Sequence, residues 1–162
     1  MSGRDVRRVA ARASSMTHEH KRDMVARIAA GADSVGIEEI YIVKEPFRIA
    51  SMALEWMPLN AEVIELVVPL EHQASDTEKA VQAFLERGVT TFVSLGGDGT
   101  NRIITRATRD VDLIPISTGT NNVFPTLIEP TIAGIVAGLN AQKRLNSDSI
   151  KERAKVMHVK TA

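Results

Sequence analysis

The chain has 162 residues, 44% of them hydrophobic and 25% charged, which suits one domain with a real hydrophobic core and leaves little room for a second. Its 20 basic and 20 acidic side chains cancel, so no global field argues for nucleic acid or an anionic membrane, and at 4% aromatic it lacks the stacking platform of single-strand binders. There is no cysteine, which excludes disulfides, Cys-ligated zinc and thiol catalysis and fits a cytoplasmic setting; no apolar run approaches the ~20 residues that span a bilayer.

At the start, Arg4, Arg7, Arg8 and Arg12, with Ser14, Ser15 and Asp5 as the one acid, have the composition of a mitochondrial presequence. They also suit a solvated helix with Val6, Val9, Ala10 and Ala13 on its apolar side, the reading preferred here. A second helix is expected over 18–35, with Val25, Ile28, Ala29 and Ala32 on one face and Gly36 as its end. Residues 39–43 (EIYIV) read as a strand. Pro46 is expected to open a helix that buries Ile49, Ala53 and Trp56 and closes before Pro58.

Residues 63–68 (VIELVV) read as the next strand. Ser75 or Asp76 is expected to cap a helix through Arg87, with Ala80, Val81, Phe84 and Leu85 apolar and Gly88 as its stop. Strand 89–95 (VTTFVSL) runs into Gly96-Gly97-Asp98-Gly99-Thr100, followed by a helix over about 101–108. Strand 113–116 enters a second small-residue loop, Ser117-Thr118-Gly119-Thr120-Asn121-Asn122. Pro130 opens the last strong helix, to Ala141, in which Gly134 and Gly138 are expected to pack closely on a sheet; a final strand is read at 155–159. Strands alternating with helices predict an α/β fold with a doubly wound, mainly parallel sheet and flanking helices. Ligands of such sheets gather at the carboxyl ends of the strands, where both small-residue loops fall.

The first loop suits a phosphate. Gly96, Gly97 and Gly99 allow positive φ and lack Cβ atoms, so backbone N–H groups can approach an anion, and Thr100 can cap the next helix. Asp98 makes sense there if it faces a hydroxyl or hydrated Mg²⁺ while the backbone faces the phosphates. An Asp-Gly turn alone would explain the same residues; the strand before, the helix after and the partner loop favour the site. No lysine supplies a P-loop, and Arg102 stands where a G-x-G-x-x-G fingerprint needs glycine. In the second loop, Ser117, Thr118 and Thr120 offer hydroxyls, Gly119 backbone freedom, and Asn121 and Asn122 amides that suit phosphate, ribose or a base edge; a polar turn is the alternative. His18-Glu19-His20 lacks the shared helical face that a metal needs. With His72 and His158 these histidines are read as structural or solvated.

Gly96–Thr100 with Ser117–Asn122 on the following strand resembles the ATP-NAD kinase family, and the longer stretches LGGDGTNR (95–102) and ISTGTNNVFP (116–125) look like its acetoin catabolism protein X branch. The likeness extends over most of the chain, including SGRDVRRVAARAS (2–14) and the AGIVAGL helix. GGDGT alone is shared with diacylglycerol and sphingosine kinases; STGTNNVFP is more specific. The resemblance implies an NAD kinase/diacylglycerol kinase N-terminal-domain-like fold and ATP-dependent phosphorylation of NAD or a related small acceptor. It implies ATP and Mg²⁺ as cofactors and Asp98 as the base. Gly96, Gly97, Gly99, Thr100 and Asn101 of the first loop, with the residues of the second, would be nucleotide contacts. Asn121, Asn122 and Val123 replace the family's usual second-loop pattern, so the acceptor is open.

Family members begin with a strand leading into an Asn-Pro-x-Ser-Gly loop, whereas this sequence starts at Met1-Ser2-Gly3; that strand is internal in doubly wound sheets, so a gap is expected. Residues 1–145 are expected to form the nucleotide-binding domain, and 146–162 a charged tail leading to a missing β-rich C-terminal domain. Partners implied are a nucleotide and a small-molecule acceptor, without nucleic acid or membrane, with room for a homo-oligomer. Two alternatives stand: a nucleotide-binding or regulatory module without turnover, and a lipid or sphingoid kinase relative.

Overall fold

A computed structural model of the chain describes residues 16–119, 122–146 and 151–155. The helix read within 1–15 and, beyond Lys155, the strand read at 155–159 lie outside these. Thr17 opens α1 (His18–Asp33): its hydroxyl accepts the N–H of His20 at 3.2 Å, one of the orphan donors of a helix start. Gly36, at φ +81°, turns the chain into β1 (Glu39–Val43). The chain continues through α2 (Ile49–Leu54), β2 (Glu62–Leu66), α3 (Ser75–Glu86), β3 (Thr91–Gly96), α4 (Asp98–Ala107), β4 (Asp112–Ser117) and α5 (Pro130–Ala141).

Among the described residues all strand pairing is parallel. β1 pairs with β2 in the register Glu39–Glu62 to Val43–Leu66, and β3 with β4 from Thr91–Asp112 to Gly96–Ser117. Helices cover both faces of the β3–β4 pair, as a doubly wound sheet requires. On one face Met24 of α1 and Ala133 of α5 close over fully buried Ile116, with Val93, Leu95 and Ile114 beside them. On the other, Val81 of α3 and Ile104 of α4 pack on Phe92, whose ring meets Phe84 edge-on at 5.7 Å. Among the described residues no helix is long and apolar enough to cross a membrane.

The two strand pairs do not hydrogen-bond to each other among the described residues. A cleft of about 870 Å³ separates β1 from β3, walled by Ile40 and Ile42, Val93 and Leu95, Ile28 of α1 and Phe84 of α3.

Four local expectations are corrected. Pro46 lies in a turn, not at a helix start, because Arg48 (φ 48°) interrupts the chain before α2 begins. The short α2 ends at Leu54, its one buried residue, leaving Trp56 88% exposed. Neither Ser75 nor Asp76 occupies the cap of α3; Asp76 instead accepts the N–H groups of Glu71 and Gln73 at 2.9 and 3.1 Å, and those bonds hold its carboxyl below its usual range. Gly134 and Gly138 face α1, not a sheet: a Cβ at 134 would overlap the Ile28 carbonyl, and one at 138 would lie 2.5 Å from Val35 Cγ2. Gly31 of α1 returns the contact against the Thr131 carbonyl, so small residues on both helices form one close seam. Arg27 and Glu129 pair across it, and Glu129 also accepts the Ile132 N–H at 2.8 Å, capping α5.

Candidate functional site

β3 alternates Phe92, Ser94 and Gly96 inward, so a serine sits in the buried phase of an otherwise apolar strand. Its hydroxyl donates to Asn101 Oδ1 at 2.6 Å, and Asn101 Nδ2 donates to the Gly97 carbonyl at 3.0 Å. Asn101 is 2% exposed. Its amide therefore braces the turn from beneath.

Above this brace, Gly97 is extended (φ −98°, ψ −172°) and α4 begins at Asp98 rather than at Asn101. The N-cap is Gly97, not Thr100, and it makes no side-chain cap bond; among the described residues no side chain is bonded to the first-turn amides, which stand at the positive end of the dipole. Positive φ among the described glycines is confined to Gly36 and Gly88, so Gly96, Gly97 and Gly99 do not serve a left-handed backbone. Two of them make room for side chains. A Cβ at Gly96 would lie 2.7 Å from Thr100 Cβ, and one at Gly97 would lie 2.8 Å from Asn122 Oδ1. Gly99 has nothing within 4 Å and is the open backbone position of the turn.

The two loops meet. Thr118 N–H points to the Gly96 carbonyl at 3.4 Å, and Ser117 N–H to the Thr126 carbonyl at 2.8 Å. Asn122 Nδ2 donates to Ser117 Oγ at 2.7 Å, and its amide fills the space beside both Gly97 and Gly119. Asp98 closes the arrangement: its carboxylate accepts the Val123 N–H at 3.0 and 3.1 Å and the Phe124 N–H at 2.9 Å. Thr120 and Asn121 lie outside the described residues.

The structure thus brings together Gly96, Gly97, Asp98, Gly99, Thr100, Ser117, Thr118, Gly119 and Asn122, and turns Asn101 inward. Reading residue types missed Ser94 and the amides of Val123 and Phe124. A serine at an inward strand position was the available signal for Ser94; main-chain donors carry no residue-type signal at all. His18 stacks on Phe47 with ring centroids 4.6 Å apart, and no group of three or more potential ligands that could hold a metal occurs among the described residues.

Chemically, the open first turn of α4 with unobstructed Gly99 fits an anion such as a phosphate. A single carboxylate fits Mg²⁺ in the mode where substrate phosphates and waters complete the shell. Asp98 keeps acceptor capacity for this, since an ionised carboxylate offers about four lone-pair sites.

Residues 6–143 match the profile of the ATP-NAD kinase N-terminal domain. Acetoin catabolism protein X of Cupriavidus necator is 34% identical over 152 residues, an alignment covering 90% of this chain and 42% of that protein. The chain therefore spans less than half the length of this curated relative. No solved structure matches.

Proposed function

The chain belongs to the ATP-NAD kinase family, and from that premise we propose that it is the nucleotide-binding half of an ATP-dependent kinase acting on a hydroxyl of NAD or a related small acceptor. The observation that carries this reading is Asp98 at the first position of an uncapped helix, drawn against the second loop by the amides of Val123 and Phe124. A carboxylate and open amides then share one surface. The amides of α4, with Gly99 as the unobstructed position, would hold phosphate oxygens. Mg²⁺, when bound beside Asp98, would supply charge neutralisation to those phosphates.

Asp98 accepts the proton of the acceptor hydroxyl as its oxygen attacks the γ-phosphorus of ATP; the bond to the β-phosphate oxygen breaks and ADP leaves. Ser117, Thr118 and Asn122 line the neighbouring loop, where ribose or phosphate oxygens find donors. NADP formation, a link to acetoin catabolism and a cytoplasmic setting belong to the same proposal.

The test is incubation of the purified chain with ATP, Mg²⁺ and NAD, following NADP and ADP. Product that disappears in Asp98→Asn supports the reading. ATP binding without ADP or NADP would favour a binding module without turnover. Exposed Val123, Phe124 and Leu127 beside the turn suit a greasy acceptor, so ADP release with sphingosine but not NAD would move the assignment to lipid kinases.

A further inference from the structure

Arg22 stands out on α1. Its Nε is buried and, among the described residues, is the one buried side-chain nitrogen or oxygen without a hydrogen-bond partner. An N–H taken from water and left unpaired is destabilising, and more so on a charged group. Lys21 beside it is also partly buried, and among the described residues no carboxylate pairs with either side chain. The acids of the neighbouring segments are engaged elsewhere. Asp23 pairs with Arg27 at 3.9 Å, and Glu45 accepts the main-chain N–H groups of Phe47, at 2.7 Å, and of Ile49. Glu19, one turn before Arg22, is exposed and forms no pair with it. Lys44 and Arg48, on either side of Glu45, likewise have no ion-pair partner among the described residues.

Helix periodicity places the two cations. Val25, Ile28 and Ala29 line the cleft beneath α1. Lys21 precedes Val25 by four residues and Ile28 by seven, and Arg22 precedes Val25 by three and Ala29 by seven. Both therefore continue the same stripe, one turn nearer the helix start. Helical side chains lean toward the N-terminus, so both charged heads reach toward the start of α1. That end of α1 lies at the carboxyl ends of the strands. His18 stacks on Phe47, four residues after the end of β1, and Met16 packs in the cluster that holds Leu95, next to last in β3. Ligands of parallel sheets gather on that side.

We propose that Arg22 and Lys21 form an anion site that takes a phosphate group, either free or as a monoester. Arginine presents a planar fork that matches two phosphate oxygens, and lysine adds a mobile point charge beside it. A phosphate dianion balances both cations, whereas a single carboxylate would leave one unmatched. Chloride screens such charges but offers no pair of oxygens to the fork. The site is built from α1 side chains, on neither Asp98 nor the first turn of α4, and so stands independently of ATP turnover.

The test titrates the intact chain with sodium phosphate at neutral pH and constant ionic strength, reading arginine Nε–Hε and main-chain amide signals by NMR. The Arg22 Nε–Hε signal is expected to shift saturably with phosphate and to ignore chloride. Lys21→Gln is expected to raise the apparent Kd about tenfold, the scale of one charge-assisted bond. Arg22→Gln is expected to abolish saturation at the amides of residues 21–25. Adenosine monophosphate and adenosine separate the two sources of the phosphate. Saturation of Arg22 by the monophosphate at lower concentration than by inorganic phosphate supports the site with a nucleotide ester as its ligand; equal or weaker saturation supports it with free phosphate. Any of four results overturns the proposal. Arg22 Nε–Hε stays still or follows chloride equally, which would leave a solvated arginine; phosphate moves only the amides of Gly97 to Gly99, which would put the anion on α4; adenosine alone reproduces the Arg22 shift; or both glutamine variants bind phosphate as the wild type does.

Discussion

Replacing Asp98 by asparagine tests the part of the site that the structure describes most directly. The carboxylate accepts the N–H groups of Val123 and Phe124 at 2.9–3.1 Å, so it holds the second loop as well as facing a ligand. Hydrogen bonds to a charged acceptor contribute about 1.5–3 kcal/mol and neutral ones about 0.5–1.5, so each of the two bonds weakens by about 1 kcal/mol in Asp98→Asn. The loop is exposed and solvent screens the charge, which places the combined loss at about 1–2 kcal/mol. That corresponds to a loop open about 5–30 times more often. Native-state hydrogen exchange at Val123 and Phe124 is expected to accelerate by that factor, while amides in β3 and β4 keep their rates. Wild-type exchange at these two positions in the variant would refute the idea that the carboxylate holds the loop. Activity lost in Asp98→Asn then has two components, and only the exchange rates separate them.

Gly134→Ala forces a methyl into the Ile28 carbonyl. Overpacking of this kind costs about 1–3 kcal/mol, offset by about 0.5–1 kcal/mol of improved helix propensity, so a net loss of about 1 kcal/mol and, at this chain length, a fall of about 2–4 °C in Tm are expected. Gly99→Ala, in the first turn of α4 with open space around it, serves as the control: it carries the propensity gain without the clash and should melt no lower than the wild type. Asn101→Ala orphans the buried Ser94 hydroxyl, at about 1–3 kcal/mol, while the Gly97 carbonyl loses the side-chain amide but keeps the main-chain N–H of residue 101. The urea midpoint should drop accordingly and recover in part when Ser94→Ala is added; a single variant as stable as the wild type would contradict the brace. Asp76 is held low by the Glu71 and Gln73 amides. Burial works against the charge of Asp112, but the Asn140 amide and Lys151 ammonium outweigh it. Groups with depressed folded values contribute stability above the unfolded value of about 3.9 and lose it as pH falls through their folded values. Tm should therefore drop below about pH 4, less steeply in Asp76→Asn, and equal slopes would exclude Asp76 from the acid response.

The β-α alternation was legible because apolar periodicity and the stops at Gly36 and Gly88 are local signals, and both glycines have the positive φ such stops use. The GGDGT turn was legible for the same reason: a strand runs into it and a helix leaves it. Its internal roles were not. The type of Asn101 gives no sign that its amide is bonded to the buried hydroxyl of Ser94, seven residues earlier. Thr100 reads as a cap until the helix starts two residues before it. Trp56 reads as buried by residue type, yet α2 ends at Leu54 and the indole beyond it is left outside. Gly134 and Gly138 announced a close contact correctly, but sequence spacing cannot say which neighbour makes it.

The placement of Asn122 reaches beyond this one chain. Its amide occupies the volume that side chains at 97 and 119 would need, so the three positions share one small space. Across relatives they should change together: a residue larger than glycine at 97 or 119 demands something smaller than asparagine at 122. Two loops on neighbouring strands are thereby bound to a common evolutionary history, and a chimera that swaps one without the other should fit poorly.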